Sequence, residues 1–272
     1  MVTQEQRKRQ LAREKFLRQQ QRRTSARRKA RMRNSVIASV LGVIIIGSLA
    51  LYTTGVLKDD DNKTNASSET TPSASPSAAK DPCEKPAAGS IKTQTWKKEP
   101  ALTIDTSAKY TMTLATTCGD IGIALKAKAA PHTVNSFDFL AGKGYFDHTK
   151  CHRLTTNGIY VLQCGDPTGQ GSGGPGYTIP DENLKDASLK ANTYPAGTVA
   201  MANTGQAHTG GSQFFLVYQD SQLPPSYTPF GTLSADGMKV LRKIAAAGES
   251  TGAGDGAPNA TVVINKATVT KS

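Results

Sequence analysis

The chain has 272 residues, 37% of them hydrophobic and 20% charged, a size that suits one ordinary domain with appendages or two small ones. Its formal net charge of +12 is unevenly placed: residues 1–34 hold 13 of the 33 Lys and Arg with only Glu5 and Glu14 against them, and the remainder is nearly neutral. This distribution argues against a folded nucleic-acid-binding face, and four cysteines over this length exclude a disulfide-dense mini-protein.

The basic segment, residues 1–35, is rich in helix formers with only Leu11, Phe16 and Leu17 as an apolar stripe. It suits docking on anionic lipid head groups, at about 1 kcal/mol per Lys or Arg, and no nucleic-acid partner is expected. Residues 36–57 follow as 22 positions without a charge, long enough to cross a hydrocarbon core of about 30 Å. By the positive-inside rule the N-terminus stays cytoplasmic and the rest lies outside the plasma membrane. An uncleaved, single-pass signal anchor is expected; cleavage near Ala50 is the competing reading. From Lys58 to Ser90 there is no Val, Ile, Leu, Met, Phe, Tyr or Trp, so residues 58–102 read as a disordered spacer that cannot bury enough apolar surface to offset ordering entropy.

Apolar patterning marks residues 103–272 as the folded domain. Tyr110–Leu114 and Ile121–Leu125 alternate with period two, as half-buried strands do. Pro131–Leu140 places Pro at a first helical turn, with Val134, Phe137 and Leu140 spaced by three. Strands are further expected at Arg153–Thr155, Tyr160–Gln163, Thr198–Ala202, Gln213–Tyr218 and Thr261–Ile264, and a second helix at Lys239–Ala246. Short strands with Gly-rich connections and two helices predict a mainly β fold, a closed barrel.

No GxSxG, HExxH, CxxC or P-loop motif is present, and His132, His148, His152 and His208 lack metal-ligand spacing. Neither a cofactor nor a metal is expected. The run Gly169–Gly176 lacks the Lys-Ser/Thr ending of a phosphate loop and reads as a flexible surface loop.

Three blocks carry more information: CHRLTTNGIYVLQCGD at 151–166, GTVAMAN at 197–203 and GGSQFF at 210–215. In this order they resemble the cyclophilin family of peptidyl-prolyl cis-trans isomerases, and the likeness extends over about 110–269. The variant LPPSYTPFG at 223–231 points to a bacterial, actinobacterial member. The resemblance implies a closed eight-stranded antiparallel barrel capped by two helices, with a proline-binding groove on its outer face. It implies Arg153 as the catalytic arginine, with Gln163 and His152 beside it. Tyr160, Val161, Phe215 and Leu223 match the apolar walls of the proline pocket. Ala202, Asn203 and Gln213 match the residues that hold the substrate backbone, and Thr204 replaces a common alanine beside them. Gln222 and Tyr227 stand where many members carry Trp and His, which argues against high cyclosporin affinity, and two extra residues separate Arg153 from the pocket positions. Proline-containing segments of unfolded or exported proteins are the expected substrates, and the protein is expected to be a monomer. A non-catalytic proline-peptide binding module is the rival reading.

Cysteine placement adds one expectation. Cys151 and Cys164 end two segments of a predicted hairpin, Cys118 ends another strand, and Cys83 lies in the spacer. On an oxidising side of the membrane, one bridge is expected among Cys118, Cys151 and Cys164.

Overall fold

The computed structural model describes residues 81–272. The basic tail, the expected membrane segment 36–57 and the spacer up to residue 80 lie outside the described residues, among which no helix is long and apolar enough to cross a membrane.

Strand alternation builds most of the core. In β1 (Tyr110–Thr116) every second residue from Tyr110 is buried, and in β2 (Gly119–Leu125) Ile121, Ile123 and Leu125 are. The two form an antiparallel hairpin with Met112 opposite Ile123 and Leu114 opposite Ile121, so large side chains meet in pairs on one face. On the other side of β1 runs β12 (Val263–Lys271). The remaining strands are shorter: β3 (Thr149–Lys150), β4 (Arg153–Thr155), β5 (Val161–Cys164), β6 (Thr193–Tyr194), β7 (Thr198–Met201), β8 (Phe214–Val217), β9 (Ser221–Gln222), β10 (Pro229–Leu233) and β11 (Asp255–Gly256).

Ten strands form one sheet in the order β11-β4-β5-β8-β7-β10-β2-β1-β12-β3, while β6 and β9 pair separately. The sheet is a curled half-barrel, not the closed eight-stranded barrel expected. The seam is made by covalent chain rather than by a ladder: Cys151 and His152 link β3, at one end of the sheet, to β4 near the other. Cys151 N–H donates to the carbonyl of Val262 and His152 N–H to that of Gln163. Successive residues thus serve opposite ends of the sheet.

Two helices close the open sides. Helix α1 (Pro131–Gly142) starts on a Pro, which has no N–H to leave unpaired. The Glu182 carboxylate accepts from the free N–H groups of His132 and Thr133. The helix buries Phe137, whose ring centroid lies 4.5 Å from Phe230 and 5.4 Å from Phe214. Helix α2 (Ala235–Ala246) begins four residues before the predicted Lys239, because Ser234 caps it by accepting from Gly237 N–H. Gly237 lies in its first turn. In the fold it allows close approach: a side chain there would meet the backbone of Gly122 at 3.1 Å.

The expected spacer over 58–102 requires a correction in its second half. Residues 81–102 lie along the domain as a strap. Cys83 is bonded to Cys118, Glu84 N–H donates to the carbonyl of Thr117 and Trp96 N–H to that of Pro175, and Asn135 donates to the carbonyls of Pro100 and Ala101. The Trp96 ring packs edge-on against Phe139 at 5.1 Å and beside Tyr145 at 5.9 Å. Backbone hydrogen bonds, one disulfide and one aromatic ring hold this segment, so the scarcity of aliphatic residues does not release it. The expectation of one bridge among Cys118, Cys151 and Cys164 is met, and the strap adds a second. Cys151 pairs with Cys164, whereas Cys118 is taken by the strap cysteine, giving two bridges and no free thiol among the described residues.

Candidate active site

Register places the candidate residues. Across four neighbouring strands Arg153 on β4 faces Gln163 on β5, Gln163 faces Phe215 on β8, and Phe215 faces Ala200 on β7. Residues paired in register share a face, so these four side chains form one row on the outside of the sheet. Their chain neighbours Leu154, Leu162, Phe214 and Leu216 point into the main core, fully buried. The adjacent Phe214 and Phe215 therefore serve opposite faces, as strand geometry requires.

Around Phe215 a second apolar cluster gathers Val161, Tyr194, Ala200 and Val217, with Ile159, Leu189, Ala202, Leu223 and Tyr227 packed against it. The Tyr227 ring stands edge-on to Phe215 at 5.5 Å. Tyr194, which the sequence reading missed, fixes that ring from behind. Its hydroxyl donates to the Tyr227 carbonyl at 2.8 Å and accepts from Tyr227 N–H, and burial pushes its pKa up to about 12.

Beside the apolar cluster runs a hydrogen-bond relay. Arg153 Nη1 donates to Gln163 Oε1 at 3.2 Å, Gln163 Nε2 to Gln213 Oε1 at 2.9 Å, and Gln213 Nε2 to the Gly173 carbonyl at 2.9 Å. On its other edge Arg153 donates through Nε and Nη2 to both oxygens of Asp255, each at 2.7 Å. This fork fixes the guanidinium plane. Asp255 holds the Arg153 pKa above its ordinary value, and Arg153 holds that of Asp255 below. Of the five guanidinium N–H groups, two remain without a partner among the described residues. The side chain is 38% exposed, which leaves those donors open to a ligand in the groove. Asp255 was not foreseen: it lies 102 residues away in sequence, in a Gly-rich stretch without periodicity.

Not every expected residue joins this arrangement. His152 turns away from the relay. Neither ring nitrogen has a hydrogen-bond partner among the described residues, and burial lowers its pKa, so the ring is neutral and takes no part in the relay. Tyr160 packs edge-on against Tyr218 at 5.8 Å; its neighbour Ile159 supplies apolar surface to the cluster instead. Ala202 is tied to Gln213 through its N–H. Asn203 donates to the Ser226 carbonyl and accepts from Gly205 N–H, and Thr204 is bound to the Thr209 hydroxyl. These contacts brace the rim loops and place Ala202, Asn203 and Thr204 along one side of the groove.

The Gly-rich run, expected as a flexible surface loop, is instead folded around Asp166. That buried carboxylate accepts from the N–H groups of Thr168, Gln170, Ser172 and Gly173. Burial alone would raise its pKa, but the hydrogen bonds from Gly173 and Thr168 outweigh burial and hold it low. The loop thereby presents the Gly173 carbonyl to Gln213. Stability from this group is present above the ordinary carboxylate range and lost as pH falls through the depressed value. Asp166→Ala leaves those N–H groups unpaired and is expected to destabilise the domain by about 1–3 kcal/mol. In urea melts the variant should show a smaller stability loss on acidification than wild type; an equal acid response in both would remove Asp166 as the anchor.

The arrangement holds a fixed cation with free donors beside an apolar wall, and the relay contains neither nucleophile nor base. The sequence profile of the family described as cyclophilin type peptidyl-prolyl cis-trans isomerase matches residues 111–269. A probable peptidyl-prolyl cis-trans isomerase B of Mycobacterium leprae is 44% identical over 164 residues, covering 58% of this chain and 56% of that protein. The protein of the same description from Mycobacterium tuberculosis H37Rv is 43% identical, covering 58% of this chain and 53% of its own length. This chain thus matches little more than half the length of these relatives, whose mycobacterial source agrees with the actinobacterial character of the sequence. Among solved structures, a Cryptosporidium parvum cyclophilin type peptidyl-prolyl cis-trans isomerase superposes with a TM-score of 0.50 at 27% identity, covering 60% of this chain and 99% of its own. The same protein in the presence of the dipeptide Ala-Pro gives 0.50 at 28% identity, with the same coverage. With more than half of its residues inside the family match, and with Arg153, Gln163 and Phe215 in one row on the sheet, the chain belongs to the cyclophilin-type peptidyl-prolyl cis-trans isomerases.

Proposed function

We propose that the chain catalyses cis–trans rotation about X–Pro bonds in polypeptides. An amide resists rotation by about 18–20 kcal/mol because nitrogen and carbonyl are conjugated. Halfway round, conjugation is lost, and the nitrogen lone pair becomes an acceptor. The apolar cluster around Phe215 would hold the proline ring while the free N–H groups of Arg153 donate to the twisted amide. Such a site binds the rotated state more tightly than either planar one. The observation that carries this reading is the Arg153 fork, clamped by Asp255 and Gln163 with two donors left over, next to that apolar wall. A purely binding module would not need a cation held in this way.

We further propose that residues 36–57 anchor the chain in the plasma membrane, with the isomerase domain outside and the basic tail on the cytoplasmic lipid surface. Support comes from the sequence pattern and from two disulfides, which suit an oxidising compartment. Unfolded or newly exported proteins would then be the substrates.

The purified full chain should accelerate isomerisation of a proline tetrapeptide well above the uncatalysed exchange. No proton moves in this reaction, Arg153 stays charged and His152 neutral, so kcat/KM should be flat from about pH 7 to about pH 9. A rate no faster than the uncatalysed exchange would overturn the reading. A sigmoidal profile centred near the histidine range would instead make His152 part of the chemistry.

A further inference from the structure

A cavity of about 880 Å³ adjoins the relay. Gln163, Ala202 and Gln213 line its near side, and Gln163 is bonded to Arg153, so the cavity is continuous with the groove there. The far wall comes from the strap: Lys97, Lys98 and Glu99. They follow directly on Trp96, whose ring is lodged between Phe139 and Tyr145 and whose N–H is bound to Pro175 of the Gly-rich loop. Gly176 permits that contact, having a φ of +87° and no room for a side chain, which would lie 2.7 Å from the Trp96 carbonyl oxygen. The strap wall is therefore built in place.

Its charge is asymmetric. Glu99 is engaged by His132 Nδ1, and Asp166 lies behind the loop with its oxygens occupied by amide N–H groups. Lys97 and Lys98 are exposed, and neither ammonium meets a carboxylate among the described residues. We infer that the strap is a specificity element: Lys97 and Lys98 select substrates with an acidic side chain close to the X–Pro pair. A peptide advances about 3.3–3.6 Å per residue, so a residue one or two places from the proline falls over this cavity. The inference rests on the isomerase reading above.

The test compares peptides identical except for Glu, Gln or Lys, scanned over the two positions on each side of the X–Pro pair, with the full chain at low salt. At one position kcat/KM for the Glu peptide should exceed that for the Lys peptide by roughly two- to fivefold, the scale of exposed ion pairs. The ratio should shrink in high salt. It should fall to near one in K97Q/K98Q and invert in K97E/K98E, with emission from Trp96, the single tryptophan, confirming a docked strap. Equal ratios in wild type and both variants, or no preference at any position, would overturn the inference while leaving the isomerase intact. If even the Gln peptide is not accelerated by wild type, the isomerase reading fails instead. Peptide affinities by anisotropy would then decide the charge preference by the same comparison.

Discussion

Arg153→Ala should lower kcat/KM on a proline tetrapeptide by at least about tenfold. Loss of a donor that acts only on the transition state commonly costs about a hundredfold or more. Arg153→Lys should recover little, because an ammonium keeps the charge but cannot grip both Asp255 oxygens and still reach Gln163. Asp255→Asn should have a milder effect, about three- to tenfold, since the guanidinium stays protonated and loses only its clamp. In R153A/D255N the second substitution should add almost nothing, the non-additivity expected of residues acting as one unit. An active R153A would place the rotation chemistry elsewhere in the groove. Equal losses in R153A and D255N with fully additive combination would show that Asp255 acts independently of Arg153.

Reducing the two disulfides should be the largest single blow to stability. In the chain-entropy description, a bridge between cysteines 13 apart contributes about 3 kcal/mol and one between cysteines 35 apart about 4 kcal/mol. Against a usual total of about 5–15 kcal/mol, losing both would leave the domain marginal. The two losses should also differ in character. Cys151 and Cys164 flank the Arg153–Gln163 pair, so C151A/C164A should reduce activity as well as stability. C83A should chiefly loosen the strap, shifting Trp96 emission and raising proteolysis between residues 84 and 100 while Arg153 keeps its partners. Chemical denaturation of the full chain with and without reductant checks the first point, and mass mapping of early proteolytic cuts checks the second. A C83A protein as stable and as protease-resistant as wild type would mean that hydrogen bonds and Trp96 suffice to hold the strap.

The groove was legible because its residues lie in short blocks where alternation decides the facing. Knowing that Phe214 and Phe215 oppose each other, and that Arg153 and Gln163 lie on hairpin strands, is enough to assemble the row. Asp255 was not legible, since an isolated Asp-Gly pair carries no period and its bond to Arg153 depends on the whole sheet curling. Ile159 rather than Tyr160 supplies surface to the cluster, and the loop ahead of the strand carries no alternation from which that could be read. The strap was hidden for a different reason. Hydropathy sees aliphatic burial, and this segment is fastened by a disulfide, backbone donors and one indole. The Gly-rich loop was misread in the same way: its order comes from one buried carboxylate, Asp166, gathering N–H groups that any sequence would supply.

The Cys83–Cys118 bond also settles where a pull would be felt. Tension arriving along the chain from residue 80 meets a covalent bond at Cys83 and passes into the β1–β2 hairpin through Cys118. Trp96 and Lys97 come later along the chain and are shielded from most of that load while the bond is intact. A pull on the chain ahead of Cys83 would leave the wall of the groove still. Once the bond is reduced, the same force would reach Trp96 directly, and its contacts with Phe139, Tyr145 and Pro175 would be the next to yield.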